Sequence, residues 1–502
     1  MSAIVAIDEI LLDVAPGETR AALVADGRLV ELEIERDASP SLVGNVYLAR
    51  VAKLAPAMDA AFIDLGAGGS GFLPRADALG ALDGAGKSLR EDAGRAELGR
   101  DAAIGRLLSE GEAVLVQVEK DAVGTKSPRL TARVALPFHR LVFSPCRPGL
   151  ALSRRIASGA ERARLEAALA GRLEEGEGAV LRTAAEGASA ETLSDELAAA
   201  RAAWQALIER ARNARAPALV HRTPDLVERA LRDHAGPGLR RVVVNDRAAR
   251  DRAKEFVARF ARDTGAGIEV ELQRGREPIF ARHDTEAQIA EALEPRVRLP
   301  SGGSLVFGAL EALTAIDVDS ARQSGTGRLA DTALAVNLEA AAEVARQLRL
   351  RNVAGLIVID FVHMEDARAR ARVADAMRAA LAGDPVAVQL GGFTTLGLYE
   401  MTRKRVREPL ADILLGPCDA CQGAARLKSD ATMAYEILRA LRRAADASPG
   451  RALTVTLASS VAAFFEGEAK GALDALTASL GRAPALRIEA GRARDRYDIV
   501  VG

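Results

Sequence analysis

From Ile4 to Ile34, short apolar runs (IVAI, EILLDV, RAALV, RLVELEI) are interrupted at Pro16-Gly17 and Asp26-Gly27. Short runs parted by turn dipeptides predict a small antiparallel meander. Strand-like runs follow in NVYLARVAKL, AAFIDLG, GFLP and AVLVQVEK, around an Ala/Gly/Asp-rich stretch between Arg75 and Gly105 that lacks a period and reads as a flexible loop. Many short strands carrying one long loop suit a small barrel such as an OB-fold. Next, LVFSP, ALSRRI and AVLRTA alternate with Ala-rich helices at about 160–172 and 190–214, and residues 216–276 give strand, helix, strand (RVVVN, RDRAKEFVARFAR, GIEVEL). From Arg298 the order is GSLVFGA, ALTAIDV, a helix over TALAVNLEAAAEVARQLRL, GLIVID, a helix over EDARARARVADAMRAALAG, and VAVQL, an α/β alternation. A basic helix then precedes a Gly-Pro-Cys break at 416–418. A strand near 453–457, an Ala-rich helix and RYDIVVG make a last small piece. No internal repeat is visible.

A length of 502 residues suggests three or so domains. The formal net charge of -1 does not advertise a polyanion partner, although Arg far outnumbers Lys and suits bidentate phosphate recognition. Three Cys are too few for a disulfide framework and point to a reducing compartment. No apolar run reaches membrane-spanning length and the start MSAIVAIDEI lacks a signal-peptide core, so a cytoplasmic location is expected.

Within ALTAIDVDS, alternation puts Asp317 and Asp319 on one face of a strand and Ile316 and Val318 on the other. Two acids on one face repel unless something cationic lies between them. GLIVID is a buried-type strand delivering Asp360 at its carboxyl end. Terminal aspartates on two neighbouring strands would make an oxygen-only site suited to Mg²⁺, which keeps several waters. The plain alternatives are a solvated edge strand for the DxD and a turn cap for Asp360. An isolated DxD also suits a metal-dependent glycosyltransferase.

Cys418-Asp-Ala-Cys421 offers two thiolates where structural zinc wants four ligands, and Cys146 is distant. A second copy of the chain is the simplest source of two more, giving a zinc shared across a symmetric dimer. An inert turn is the alternative. Phe62 and Phe72, near Lys53, Lys120 and Lys126, read as a stacking platform for single-stranded nucleic acid, or else as core residues. Arg182-Thr183 could pair a guanidinium and a hydroxyl on a phosphate, or simply begin a turn.

Taken together, VRLPSGGSLVFGALEALTAIDVDSAR, NLEAAAEVARQLRLRNVAGLIVIDFVHM, GLYEMTRKRVREPL and CDACQG closely resemble the ribonuclease E/G family. GNVYLARVAKLAPAMDAAFIDLG with GFLP resembles that family's OB-fold RNA-binding domain, and SRRI with VLRTAAEG resembles its 5′-sensing region. With no long polar tail after residue 502, the chain looks like a short-tailed member. The resemblance implies RNase H-like parts at 1–35 and 216–290, an OB-fold at 36–130, a 5′-sensor region at 131–215 and a DNase I-like catalytic subdomain at 291–412. A zinc link at 413–425 and a small C-terminal domain at 426–502 complete it. It implies a Mg²⁺-dependent endoribonuclease of RNA processing and decay that leaves 5′-phosphate and 3′-hydroxyl ends on single-stranded RNA and favours 5′-monophosphorylated substrates. Asp317 and Asp360 would hold Mg²⁺, with Asp319 a further possible ligand. Cys418 and Cys421 would share Zn²⁺ between the subunits of a homodimer or higher oligomer. Phe62, Phe72, Lys120 and Lys126 would hold RNA, and Arg182 and Thr183 the 5′-phosphate. Three departures stand out: Asp319 replaces the family's usual Asn, His363 replaces an acid found in many members, and the region near Leu136-Pro137-Phe138, which contains glycine in the family, also differs. A non-catalytic RNA-binding protein remains the alternative.

Overall fold

The first meander forms as its turns dictate: Asp26 and Gly27 both adopt positive φ (50° and 73°), the pair a tight type I′ hairpin requires. Its strands Glu9–Ala15, Glu18–Ala25 and Arg28–Arg36 pair antiparallel. Two strands from much later in the chain, Arg241–Val244 and Glu269–Leu272, add in parallel on the Glu9–Ala15 side. Everything between is therefore an insertion into one five-stranded sheet. The computed structural model describes residues 6–87, 103–122, 126–236, 238–264, 267–275, 277–320, 329–418, 420–421 and 426–502.

The inserted barrel is closed. Val46–Ala55, Ala60–Asp64, Ser70–Pro74, Arg129–Thr131 and Ala113–Lys120 follow one another, and the last pairs back to the first. This five-strand closure is OB-like. Gly71 permits it, because a Cβ there would lie 2.4 Å from the Leu130 side chain on the neighbouring strand. About half of the stretch expected as a flexible loop, 88–102, lies outside the described residues; its flanks hold the short helices Arg75–Ala78 and Ile104–Leu107. A sixth strand, Ala218–His221, lies antiparallel on the outside of Val46–Ala55. Between barrel and that strand the chain builds a four-stranded sheet backed by Gly159–Leu169 and the 24-residue helix Ala190–Asn213, whose N-cap Ser189 accepts the Thr192 N–H.

The third sheet has six strands, ordered Arg296–Arg298, Ser304–Ala309, Leu313–Asp319, Gly355–Asp360, Tyr399–Arg403 and Val388–Phe393. Helices Leu329–Leu350 and Ala367–Leu381 bury one face of it through Val336, Val344, Leu348, Val373 and Met377. One expectation is corrected here. The helix ahead of Gly416-Pro417, Leu410–Leu414, is not basic, its one charged residue being Asp412, and the basic stretch before it begins in a central strand, Tyr399–Arg403, with Tyr399, Met401 and Arg403 alternately buried and Arg403 bound to Asp384 at 2.7 Å. A period of two had been hidden by its charges.

The chain divides into units Met1–Ala411 and Asp412–Gly502. The second is a mixed three-stranded sheet, with Leu453–Leu457 central, and helices Asp430–Ala447, Ser459–Glu466 and Lys470–Leu480. Among the described residues no helix is long and apolar enough to cross a membrane.

Candidate active site

Strands Leu313–Asp319 and Gly355–Asp360 run parallel, and their register sets Asp317 directly beside Asp360. Along the first strand Ile316 and Val318 are buried while Ala315, Asp317 and Asp319 are exposed. Both acids thus emerge on the face opposite the two helices, at the carboxyl ends of their strands. Asn337, fully buried on the helix Leu329–Leu350, donates to the Val362 carbonyl at 2.7 Å and accepts its N–H at 3.0 Å. That clamp fixes the chain two residues past Asp360. His363 lies just beyond, exposed.

The electrostatics are those of crowded anions. Burial raises the Asp317 carboxyl above its ordinary range, and Asp319 and Asp360 raise it further, with Arg296 opposing. Among the described residues neither Asp317 nor Asp360 forms a salt bridge. Asp319 does: Arg296, on the edge strand, reaches it at 3.0 Å while also donating to Ser304 Oγ at 2.6 Å. An all-carboxylate set with unpaired charge fits a hard divalent cation such as Mg²⁺. Two residues of this face escaped the sequence reading. Glu400 pairs in register with Val358, one strand beyond Asp360, and was missed because no strand was read there. Arg298 shares the acids' face and is exposed.

A tighter acid cluster lies elsewhere. Glu31, Glu33 and His234 bring one ligand atom each within 4.8 Å of one another. Arg349 and Arg407 already hold Glu31, at 2.8 and 3.0 Å, and Arg407 also holds Glu33.

On the barrel, pairing lines up one rung of side chains. Lys53 pairs with Phe62, Phe62 with Phe72, Phe72 with Arg129, and Arg129 with Lys120. The two rings meet edge to face at 5.9 Å and stand half-buried outside the barrel core, whose members are their neighbours Ala61, Ile63 and Leu73. Arg129, unforeseen, is engaged by Asp77 and Glu119. Lys126 is exposed on the approach to this strand, off the rung.

Arg182 follows the strand Gly178–Leu181, and Thr183 opens the next turn. The Arg182 guanidinium already donates to the Phe138 carbonyl at 2.8 Å and pairs with Asp233 at 2.8 Å. Burial would raise the Asp233 carboxyl, but Arg232 and Arg182 outweigh it and hold it at about 2. Cys418 is exposed and Cys421 half-buried, and no disulfide joins them.

Residues 135–406 match the ribonuclease E/G family. Ribonuclease G of Salmonella typhimurium (strain SL1344) is 36% identical over 493 residues, covering 98% of this chain and 99% of its own length. Ribonuclease G of Escherichia coli (strain K12) is 35% identical over 494 residues, with the same coverage. Ribonuclease E of Nostoc sp. (strain PCC 7120) is 38% identical over 405 residues, 80% of this chain and 57% of that protein. Likeness of this extent places the chain among the endoribonucleases. It belongs to the ribonuclease E/G family.

Proposed function

We propose that the chain cleaves single-stranded RNA with the help of Mg²⁺ held by Asp317 and Asp360. The observation that carries this reading is the register of those two residues on adjacent parallel strands, unpaired and on an open face. When bound there, Mg²⁺ would supply an activated water and positive charge opposite the scissile phosphate. The chain's own part is to hold the two carboxylates rigidly: the strand pairing fixes Asp317, and the Asn337 clamp fixes the segment after Asp360. Arg298, which pairs with no acid among the described residues, supports an approaching RNA backbone. In-line attack would leave a 5′-phosphate and a 3′-hydroxyl. An isolated-DxD reading, as in a glycosyltransferase, gives Asp360 no part.

The remaining surfaces take roles in keeping. The barrel rung offers Phe62 and Phe72 to unstacked bases, flanked by Lys53 and Lys120, which suits single strands; Lys126 would meet the backbone. Arg182 and Thr183 would receive a 5′-monophosphate, with Asp233 and the Phe138 carbonyl orienting the guanidinium beforehand. Cys418 and Cys421 would share Zn²⁺ with a partner chain. In this reading the first and third sheets are the RNase H-like and DNase I-like parts, the third at 291–412. The enzyme acts in cytoplasmic RNA processing and decay.

The test is incubation of a 5′-monophosphorylated oligoribonucleotide with and without Mg²⁺. Mg²⁺-dependent cleavage leaving phosphorylated 5′ ends is expected, and a 5′-hydroxyl substrate should be slower. Binding without cleavage at any Mg²⁺ concentration would leave a non-catalytic RNA-binding protein. Metal analysis of the purified protein should find one zinc per two chains, lost together with the dimer in a Cys418→Ser, Cys421→Ser variant.

A further inference from the structure

A cavity of about 410 Å³ opens between one end of the barrel and the segment carrying Ala218–His221. Neither Asp317 nor Asp360, nor any residue of their sheet, lines it. Its walls are largely apolar, with Leu42 and Leu65 on the barrel side and Pro217, Leu219 and Pro224 across from them. Leu219 is left 40% exposed.

Three of its polar side chains offer donors that no protein group takes up among the described residues. Tyr47 lines the cavity and is 5% exposed, yet its hydroxyl hydrogen-bonds to no other residue among those described. Asn45, also 5% exposed, uses its Oδ1 to accept the Thr223 N–H at 2.8 Å, and among the described residues its amide Nδ2 has no partner. Gly44 makes that docking possible, since a Cβ there would lie 2.8 Å from Thr223 Oγ1. Arg222 is exposed and forms no ion pair or side-chain hydrogen bond among the described residues. The acids of the cavity are neutralised: Glu35 by Arg229 at 2.6 Å, Asp225 by Arg252 at 2.9 Å. One positive charge unpaired among the described residues therefore joins two further donors, on largely buried residues, around an apolar slot.

Such a slot suits a flat, largely apolar body edged with acceptors and carrying an anion. We propose that this cavity binds a nucleotide, its base against the proline and leucine walls with acceptors on Asn45 Nδ2 and the Tyr47 hydroxyl, and its phosphate on Arg222. The volume falls in the range of small-ligand sites and suits one such unit. The nucleotide is either free in solution or one residue of a bound RNA strand; the chemistry is the same.

Calorimetric titration with AMP, GMP, CMP and UMP, in chelator and without divalent cation, tests it. At least one should saturate at one site per chain. Arg222→Glu should weaken that binding at least tenfold, by reversing the charge (roughly 1.4 kcal/mol per factor of ten). Asn45→Asp keeps the Thr223 bond and replaces the donor by an anion, and Tyr47→Phe removes only the hydroxyl; each should weaken binding severalfold. Asp317→Asn and Arg182→Ala should leave it unchanged. Failure of all four nucleotides to bind up to about 5 mM, binding indifferent to Arg222→Glu and Asn45→Asp, or binding lost in Asp317→Asn or Arg182→Ala would overturn the assignment. A 5′-hydroxyl oligoribonucleotide then separates the sources. If it displaces the nucleotide and binds less well to Arg222→Glu, the unit belongs to an RNA strand; if it does neither, free nucleotide is the ligand.

Discussion

Two groups of acids in this chain look alike on paper and differ in what surrounds them. Glu31, Glu33 and His234 converge within 4.8 Å, the closer approach to a ready-made metal cage. Arg349, Arg407 and Arg229 surround them, and burial is nearly complete. Asp317 and Asp360 are exposed side by side, they and Asp319 do not form so tight a group of three, and no cation pairs with either among the described residues. Convergence of ligand atoms is therefore a poor guide here. The guide is whether the positive charge is already present in the protein or has to come from outside. In the sealed cluster Arg349 binds across from a helix to the strand Arg28–Arg36, so the charges join two layers of the fold. On the open sheet face no such charge pairs with Asp317 or Asp360 among the described residues.

The largest effect should come from the open pair. Asp317→Asn or Asp360→Asn is expected to lower single-turnover cleavage at saturating Mg²⁺ by at least about a hundredfold, which is roughly 3 kcal/mol of transition-state stabilisation. RNA affinity, read by fluorescence anisotropy, should stay within about threefold, because both acids are assigned to the metal and neither to RNA. A variant that retains more than about a tenth of the rate sinks the assignment.

Glu31→Gln should do the reverse. It leaves Arg349 and Arg407 short of their shared acid in a buried place, and removing one partner of a buried pair costs about 3–5 kcal/mol of stability. Chemical denaturation should show that loss, while the rate per folded molecule at 25 °C stays near wild type. Equal stability with impaired cleavage would mean that the two clusters had been assigned the wrong way round.

Titration separates them further. Burial would raise the Glu33 carboxyl, but Arg407, His234 and Arg229 hold it at about 2. A depressed acid gives stability that is present above its ordinary 4.5 and lost as pH falls from there toward 2. His139 behaves differently. Burial against Phe256 and Phe260 lowers it to about 4, against the pull of its bond to the Arg232 carbonyl. The folded state then binds fewer protons than the unfolded one between 4 and the ordinary 6.5, so stability is lost as pH falls through that window. Between pH 6.5 and 4.5 the thermal midpoint should therefore drop through His139, with His221 adding in the same direction, while the loss through Glu33 should begin only below 4.5. His139→Phe, which keeps the ring packing, should flatten that slope by about 1–2 kcal/mol. An unchanged slope would show that His139 titrates normally.

How much of this was legible beforehand follows from what each feature depends on. The alternation in ALTAIDVDS put Asp317 and Asp319 on one face without any partner strand being known, because period two is local. That Asp360 would stand beside Asp317 in register was not local; it needed the strand order, and only the buried-strand form of GLIVID hinted at it. The barrel's short strands were visible as runs, but the Lys53–Phe62–Phe72–Arg129–Lys120 rung exists only through pairing. The strand Tyr399–Arg403 was missed since charge sits on both of its faces, Glu400 exposed and Arg403 buried by its bond to Asp384. Salt-bridged arginines look like surface until their partners are seen. The same blindness hid Arg296.

Arg296 supplies the smallest and most local test of the comparison. Asp319 adds a third acid to the open face, and on its own it would strengthen repulsion and tighten binding of a divalent cation. Arg296 reaches it at 3.0 Å, so the pair contributes little net charge beside Asp317. The two side chains are 57% and 51% exposed, which limits what the contact itself is worth to about 0.2–1 kcal/mol. Breaking it from either side should nonetheless change the field at Asp317 in opposite directions. Asp319→Asn leaves the guanidinium uncompensated and should weaken Mn²⁺ binding, followed by electron paramagnetic resonance, by about two- to fivefold. Arg296→Gln leaves the acid uncompensated and should strengthen it by a similar factor. The double variant removes one charge of each sign and should return close to wild type. Half-maximal Mg²⁺ for cleavage should move the same way in all three. Should both single variants shift Mn²⁺ affinity in the same direction, Asp319 would be contacting the cation itself, and the open face would hold three ligands where two are assigned.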